Sequence, residues 1–386
     1  MKAVILAGGH GTRLLPLTFT KPKPMLPIAQ KPVLFYIINS LVSQGFNEII
    51  ITTSYLTKQI QDYFGDGAAF GTHLVYSQEK KPLGTAGGVK NVEKYLDESF
   101  AVIQGDNITD ISFVEELSYH RAKGGIATIA VKEVKKPWRY GIVDLDQNDR
   151  ILRFAEKPRP EECFSNLIST GLYVLEPEVL DYIPKNKYYD FAMNLFPTLL
   201  KNDHPIYGYR TSAFWVDAGG LEGHMEATRW ILNKMPRHIS DTAEVNKVAV
   251  KGNVWIDDDV VIKPGTVILG PAFIEKGAVV RNDTLLEPGT VIKQNVEVGA
   301  RNHVNGSILY EDTSVDAGAN LQKCIVAENC ELGKRVKVDD LAIIGANCKV
   351  GDKVHIRKRS RIWPNINIRP GSIIAGITRR IKGVKP

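Results

Sequence analysis

Two hydrophobic rhythms divide this chain. Up to about residue 236, short apolar runs alternate with stretches of helical spacing. Lys2–Ala7, Glu48–Thr53, His73–Ser77 and Phe100–Gln104 read as strands. Pro32–Val42 and Ala86–Leu96 carry the three-to-four-residue spacing of helices. Strand and helix in alternation predict a mostly parallel sheet covered on both faces. From Ala127 to Pro177 short strands dominate, with Tyr140–Asp144 and Leu172–Leu175 the clearest. Leu221–Met235 predicts an amphipathic helix that closes this first domain, 1–236.

Residues 237–249 read as a connector. Beyond it, from 250 to 386, the period becomes six. Every sixth residue from Ile256 through Ile262, Ile268 and onward to Val304 and Tyr310 is large and apolar. The series resumes in a shifted register from Val326 to Ile374. Six residues match neither a helix nor an alternating strand; they match a parallel β-helix built of hexapeptides. The residue four places on is small (Val260, Thr266, Ala272, Ala278, Thr284, Thr290), as an inward corner position requires. Cys324, Cys330 and Cys348 fall at the same position and are expected to pack, with Cys330 and Cys348 stacked on neighbouring coils. About seven coils are expected, with a loop leaving the stack between Tyr310 and Val326. A solenoid has open ends, so self-association through it is expected.

Composition narrows the function classes. Among 386 residues, 44% are hydrophobic and 24% charged, ordinary values for a soluble globular protein. No apolar run reaches the roughly 20 residues of a membrane helix, and the apolar opening is too short for a signal peptide. A cytoplasmic protein without a membrane partner is expected. Lysine and arginine exceed aspartate and glutamate by 49 to 43. That excess suits acidic small ligands and gives no reason to expect a nucleic acid. No C-x-x-C and no H-x-x-x-H spacing occurs, so no zinc or histidine metal site is expected.

Candidate chemistry gathers at strand ends. The first strand runs into Leu6-Ala7-Gly8-Gly9-His10-Gly11-Thr12-Arg13. Such a glycine-rich turn lets backbone N–H groups approach phosphate oxygens. It lacks the third glycine of a dinucleotide fingerprint and the Gly-Lys-Ser/Thr of a Walker loop. Downstream, Pro22 and Pro24 bracket Lys23, holding a cation on a stiff segment. Asp106 follows a strand at the carboxyl edge where open α/β sheets bind ligands, and Asp217 follows another strand-like run. Two such carboxylates can share a divalent cation.

Together these segments resemble the sugar-1-phosphate nucleotidyltransferases, or nucleotide-sugar pyrophosphorylases. Gly-Gly-x-Gly-Thr-Arg-Leu and Pro-Lys-Pro-Met-Leu-Pro are similar to the family's signature. Pro82-Leu83-Gly84-Thr85-Ala86-Gly87 is similar to its base loop, and Gly105-Asp106-Asn107 to its metal turn. Tyr140-Gly141 and Glu156-Lys157-Pro158 are similar to its sugar and phosphate contacts, and Trp215-Val216-Asp217 to its second metal carboxylate. The resemblance implies a Rossmann-like mixed α/β sheet followed by a left-handed parallel β-helix. It implies that a sugar 1-phosphate attacks a nucleoside triphosphate with Mg²⁺ held by Asp106 and Asp217. Arg13 and Lys23 would neutralise phosphates. Leu6, Ala7, Gly8, Gly9, Gly11, Thr12, Gln78, Gly84 and Thr85 would bind the nucleotide. Tyr140, Gly141, Glu156, Lys157, Asn166 and Thr170 would bind the sugar phosphate. Ser169-Thr170 stands where many members have Asn-Ala, which separates this chain from them at the sugar.

The Pro-Leu-Gly-Thr-Ala-Gly loop and the hexapeptide tail most resemble mannose-1-phosphate guanylyltransferases, whereas Asn107 resembles the thymidylyl enzymes. Uridylyl or thymidylyl transfer to glucose 1-phosphate is the alternative. Two further readings stand beside these. One adds acetyl-CoA-dependent acyl transfer with His303 or His355 as base. The other is a non-catalytic regulatory paralogue, which predicts erosion of Arg13, Lys23 or the aspartates; all are present.

Overall fold

The computed structural model describes residues 1–9, 11–54 and 56–379. They fall into two compact units. The first gathers residues 1–9, 21–25, 32–54 and 56–217; the second gathers 11–20, 26–31 and 218–379.

The first unit is built on a nine-stranded mixed sheet. In chain order its main elements are β1 (Lys2–Leu6), α1 (Val33–Ser43), β2 (Glu48–Thr53), α2 (Thr57–Phe64), β3 (His73–Gln78), α3 (Gly84–Lys90), β4 (Phe100–Gln104), β5 (Asn107–Thr109) and α4 (Phe113–Lys123). There follow β6 (Ala127–Glu133), β7 (Gly141–Leu145), β8 (Ile151–Glu156), β9 (Leu167–Leu175), α5 (Phe196–Lys201), β10 (Ile206–Arg210) and β11 (Trp215–Asp217). The strand order is β8-β7-β9-β4-β1-β2-β3, with β6 joined to β9 and β10 to β6. Strands β4, β1, β2 and β3 run parallel. Strand β9 adds antiparallel beside β4. Val4, Ile50 and Val102 on the central strands join Ile129, Phe191 and Phe196 in one core. Parallel strands covered on both faces read as unbroken apolar runs, as Ala-Val-Ile-Leu of β1 does.

The helices follow local signals. α4 starts where the Ser112 hydroxyl accepts the Glu115 N–H and stops at left-handed Gly124. The helix expected over 86–96 is shorter. α3 ends at Lys90, and a single tight turn, Glu93–Tyr95, continues the chain.

Strand β1 sits at the switch point. The chain moves outward from β1 to β2 and β3, then returns to β4 on the other side of β1. The carboxyl ends of β1 and β4 are therefore neighbours, and a crevice opens there.

The second unit holds α6 (Leu221–Lys234) and a parallel β-solenoid. α6 buries Leu221, His224, Ala227, Thr228, Ile231 and Leu232. Arg359 on a solenoid corner pairs with Glu222 in the first turn of α6 at 2.6 Å. The solenoid has three sheets of nine, eight and eight strands, making about eight coils rather than seven. Strand pairing begins at His238–Ile239, inside the stretch read as a connector. Ile256, Ile274 and Ile292 stack one above another, as the six-residue period requires. Val260, Ala272, Ala278, Cys324, Cys330 and Cys348 all lie in the interior cluster. Glu331 pairs with Lys349, so the preceding Cys330 lies under Cys348; Cys330 Sγ also reaches the Gly345 carbonyl. All four cysteines are free thiols.

One expectation about the coil fails. Ile292 pairs with Leu309, not Tyr310, and no loop leaves the stack. Instead two hexapeptides are each one residue short. Inward Val304 is followed by inward Leu309, and inward Leu321 by inward Val326. A β-helix absorbs a single deletion at a corner, where side chains need not alternate, and so restores register without an excursion. Tyr310 is buried all the same. At the far end Ile373 and Ile377 are exposed on the last coil. No helix among the described residues is long and apolar enough to cross a membrane.

Glu116 on α4 is fully buried, and the Ala130 backbone only partly offsets the cost of burying its carboxylate. Burial pushes its carboxyl well above the usual range. The native state then holds a proton that the unfolded chain releases above about pH 4.5. Stability from this group is present below that pH and is lost as pH rises toward the folded value. Chemical denaturation between pH 5 and 8 should show this downward slope in the wild type and a flatter one in Glu116→Gln.

Candidate active site

Backbone packing at the crevice brings the glycine loop and the acidic turn together. The Gly105 N–H donates to the Leu6 carbonyl at 2.9 Å. A Cβ at position 105 would lie 2.8 Å from that oxygen, so only glycine fits. Asp106 follows at once and is almost buried, 7% exposed. Its Oδ2 accepts from the Lys23 ammonium. Lys23 opens a tight turn in which the Met25 N–H reaches the Pro22 carbonyl at 2.8 Å.

Asp217 arrives by strand pairing. β11 runs antiparallel to β5, with Trp215 opposite Thr109, Val216 opposite Ile108 and Asp217 opposite Asn107. The second carboxylate thus stands one residue from the first, on the neighbouring strand. The approach to β11 is clamped by side chains. The Asp110 carboxylate accepts the Phe214 N–H at 2.7 Å, the Thr109 hydroxyl donates to the Phe214 carbonyl at 2.7 Å, and the Lys132 ammonium reaches the Ser212 and Ala213 carbonyls.

A cavity of about 310 Å³ opens beside Lys23; neither Asp106 nor Asp217 forms part of its wall. Leu6, Ala7, Gly8, Gly9 and Lys23 line one part; Pro82, Gly84, Thr85 and Glu79 line another, with Thr52, Gln104, Tyr188 and Asp190 completing the wall. Gly84 has φ +74°, and a Cβ there would lie 2.6 Å from the Tyr189 carbonyl. Its lack of a side chain serves the packing of the 187–191 segment. The Thr85 hydroxyl donates to Asp190 at 2.8 Å and accepts the Phe191 N–H, so it is spent on the same segment and not directed at a ligand.

Gln78 is exposed at the end of β3 and is not part of this cavity wall; its neighbour Glu79 is. Glu79 Oε2 accepts the Leu83 N–H at 3.1 Å. Oε1 reaches over Gly88, where a Cβ would lie 2.6 Å from it. Burial pushes the Glu79 carboxyl up, and the Leu83 N–H pulls it back. Strand alternation could have flagged it: if Gln78 faces one side, the next residue faces the other.

The expected sugar-phosphate residues form a second group. Gly141 lies opposite Glu156 across β7 and β8, and the Lys157 N–H donates to the Tyr140 carbonyl at 3.0 Å. A Cβ on Gly141 would lie 2.8 Å from Glu156 Oε2. Lys157 pairs with Glu156 at 2.9 Å. The Tyr140 ring stands edge-on to Trp215, 5.4 Å between centroids, which joins this group to the strand bearing Asp217. Asn166 is exposed, with its carbonyl accepting the Val134 N–H. Thr170 does not offer its hydroxyl: the group is buried and donates to the Ala130 carbonyl at 2.8 Å. The Thr170 carbonyl accepts from the Asn107 amide at 2.7 Å, giving both residues a structural duty beside the acidic turn.

Gly11, Thr12 and Arg13 group with the second unit. Gly11 is left-handed, and its carbonyl accepts the Thr18 hydroxyl. Arg13 Nη1 lies 4.0 Å from where a Cβ on Gly220 would be. On the solenoid, His303 is tied to Glu287 and His355 to Asp339, each at 2.8 Å. A shallow cavity of about 770 Å³ on the solenoid is lined by residues such as Arg281, Glu297, Glu331 and Lys349, and by neither histidine.

Residues 2–234 match the family described as nucleotidyl transferase. The chain belongs to the nucleotidyl transferase family. Residues 268–374 also match a family described as the GMPPB C-terminal domain. Among curated nucleotidyl transferases, a UTP–glucose-1-phosphate uridylyltransferase of Synechocystis is 38% identical, covering 71% of this chain and 78% of its own. A mannose-1-phosphate guanylyltransferase of Mycobacterium tuberculosis is 30% identical over 83% of each. Among solved structures, a putative glucose-1-phosphate thymidylyltransferase from Bacillus anthracis superposes with a TM-score of 0.55 at 26% identity, covering 60% of this chain and 94% of that one. These homologues and structural neighbours are sugar-1-phosphate nucleotidyltransferases.

Gly84→Ala should be costly in this family member. The added methyl meets backbone, not a movable side chain, and the left-handed φ adds about 1–3 kcal/mol of strain. A lowered melting temperature and weakened nucleotide binding, measured by calorimetry, are expected together.

Proposed function

We propose that this protein is a mannose-1-phosphate guanylyltransferase, joining GTP and mannose 1-phosphate into GDP-mannose and pyrophosphate. One observation carries the nucleotidyl-transfer part. Lys23 lines a glycine-walled cavity at the switch point of the sheet and holds Asp106, and Asp217 pairs with the residue that follows Asp106. The sugar-phosphate oxygen attacks the α-phosphorus of the triphosphate; a new P–O bond forms as the bond to pyrophosphate breaks. No protein nucleophile is needed, so positioning and charge neutralisation do the work.

The backbone of Leu6 to Gly9 would cradle the phosphates, and Lys23 would neutralise them. Arg13 keeps the phosphate-neutralising role implied by the resemblance. Tyr140, Gly141, Glu156 and Lys157 would hold the sugar phosphate. Asp106 and Asp217 fit a hard divalent cation such as Mg²⁺. Both donate carboxylate oxygens, they sit one residue apart across paired strands, and Asp106 already attracts a cation in the form of Lys23. Among the described residues no group of three or more acidic, histidine or cysteine side chains is placed to hold a metal ion, so phosphate oxygens would complete the shell. When bound, the ion supplies charge neutralisation at the phosphates. We assign residues 1–236 to catalysis and 250–386 to assembly, as a cytoplasmic homo-oligomer associating through the solenoid.

The relatives differ in base by name, so the guanine choice rests on Glu79. Asp190 also lines the cavity, but Thr85, Ala192 and Met193 already donate to its carboxylate. Glu79 Oε1 accepts no hydrogen bond among the described residues. A carboxylate at the Watson–Crick edge suits guanine, which presents N1–H and N2–H₂ side by side. Uracil and thymine offer one N–H flanked by two carbonyls, and adenine sets an acceptor beside its donor. Exposed Tyr188 supplies an aromatic face to the same wall.

Pyrophosphate release should be measured for each nucleoside triphosphate with mannose 1-phosphate and glucose 1-phosphate. GTP with mannose 1-phosphate should be fastest. Glu79→Gln should lower kcat/KM for GTP by about 10- to 100-fold while changing UTP little. A wild type that prefers UTP or dTTP refutes the guanine reading; no pyrophosphate from any pair refutes nucleotidyl transfer. Asp106→Asn should cost about 10²–10³-fold in kcat with the fold retained by circular dichroism. Survival of activity within a few-fold would remove Asp106 from the chemistry.

A further inference from the structure

We propose that Lys23 holds the Asp106 carboxylate until a divalent ion arrives there, so that metal entry and release of Lys23 toward the phosphates are one coupled event. This rests on the reading of Asp106 and Asp217 as the metal carboxylates. The Lys23 ammonium contacts Asp106 Oδ2, and both side chains are largely withdrawn from water, 17% and 10% exposed. The same Nζ lies 4.0 Å from where a Cβ on Gly9 would be. One atom therefore borders both the carboxylate and the phosphate loop, and Lys23, Gly8 and Gly9 line one cavity wall.

The backbone of Lys23 is braced by its two flanking prolines and the Pro22–Met25 turn. Only the four-carbon stem is left to move, and a lysine ammonium is a compact charge on a flexible stem. A short swing exchanges one anionic partner for the other. An ammonium and a divalent ion repel each other at this spacing and cannot share the Asp106 oxygen. A divalent ion bound there expels the lysine, and the phosphates that come with the nucleotide receive it. Without the ion, Lys23 helps to neutralise a nearly buried carboxylate.

The distinctive consequence is a variant that binds metal better and turns over worse. Mn²⁺ is titrated into the free protein, without nucleotide or sugar phosphate, and followed by electron paramagnetic resonance. Lys23→Met should bind Mn²⁺ about tenfold more tightly than the wild type, Lys23→Arg should resemble the wild type, and turnover of Lys23→Met at saturating metal should fall. Lys23→Gln repeats the test if the methionine variant fails to fold. Mn²⁺ binding to Lys23→Met or Lys23→Gln that is no tighter than wild type overturns the proposal. Asp106→Asn separates the two levels: if it binds Mn²⁺ as well as the wild type, the carboxylate assignment itself is wrong.

Discussion

The candidate site depends on how closely two parallel strand ends can approach. β1 and β4 lie side by side and finish at the same level, with the Gly105 N–H on the Leu6 carbonyl at 2.9 Å. No side chain fits between them. That contact sets the acidic turn against the glycine loop, and every later feature inherits its position from it. A larger residue at 105 would push Asp106 away from the loop and from Lys23 together.

Around this contact, the protein spends polar side chains on holding backbone. Thr85 and Asp190 fasten the segment that walls the cavity. Thr109, Asp110 and Lys132 fasten the approach to Asp217. Asn107 fastens the Thr170 carbonyl. Few of these groups remain available to a ligand. Glu79, whose Oε1 holds no backbone group, stands out against that background. Preorganisation of this kind suits a reaction that needs charge and alignment more than covalent chemistry.

The solenoid obeys a different rule. Each coil repeats the same inward positions, so its stability is a sum over near-identical layers. It tolerates shortened hexapeptides at several points without losing stacking, because corners absorb length changes that a flat sheet would pass on as a flipped face.

Much of this was legible from the residues alone. Strand-helix alternation predicts the parallel half of the sheet, because burial on both faces forces continuous apolar runs. The six-residue period predicts the coils, because each side of a coil turns one aliphatic residue inward. Glycine loop, lysine and aspartates are visible because their spacing within short motifs is local. The partners of single side chains are not legible. Thr85 and Thr170 read as ligand contacts, yet their hydroxyls bond to Asp190 and the Ala130 carbonyl, residues 105 and 40 positions away. Gln78 and Glu79 are neighbours, and only the direction of an edge strand decides which one faces the cavity. The pairing of Asp217 with Asn107, next to Asp106, also awaited the fold, since a three-residue strand pairing across more than a hundred positions leaves no periodic trace. Local pattern records which face of an element is buried; which groups then meet is decided by long-range packing.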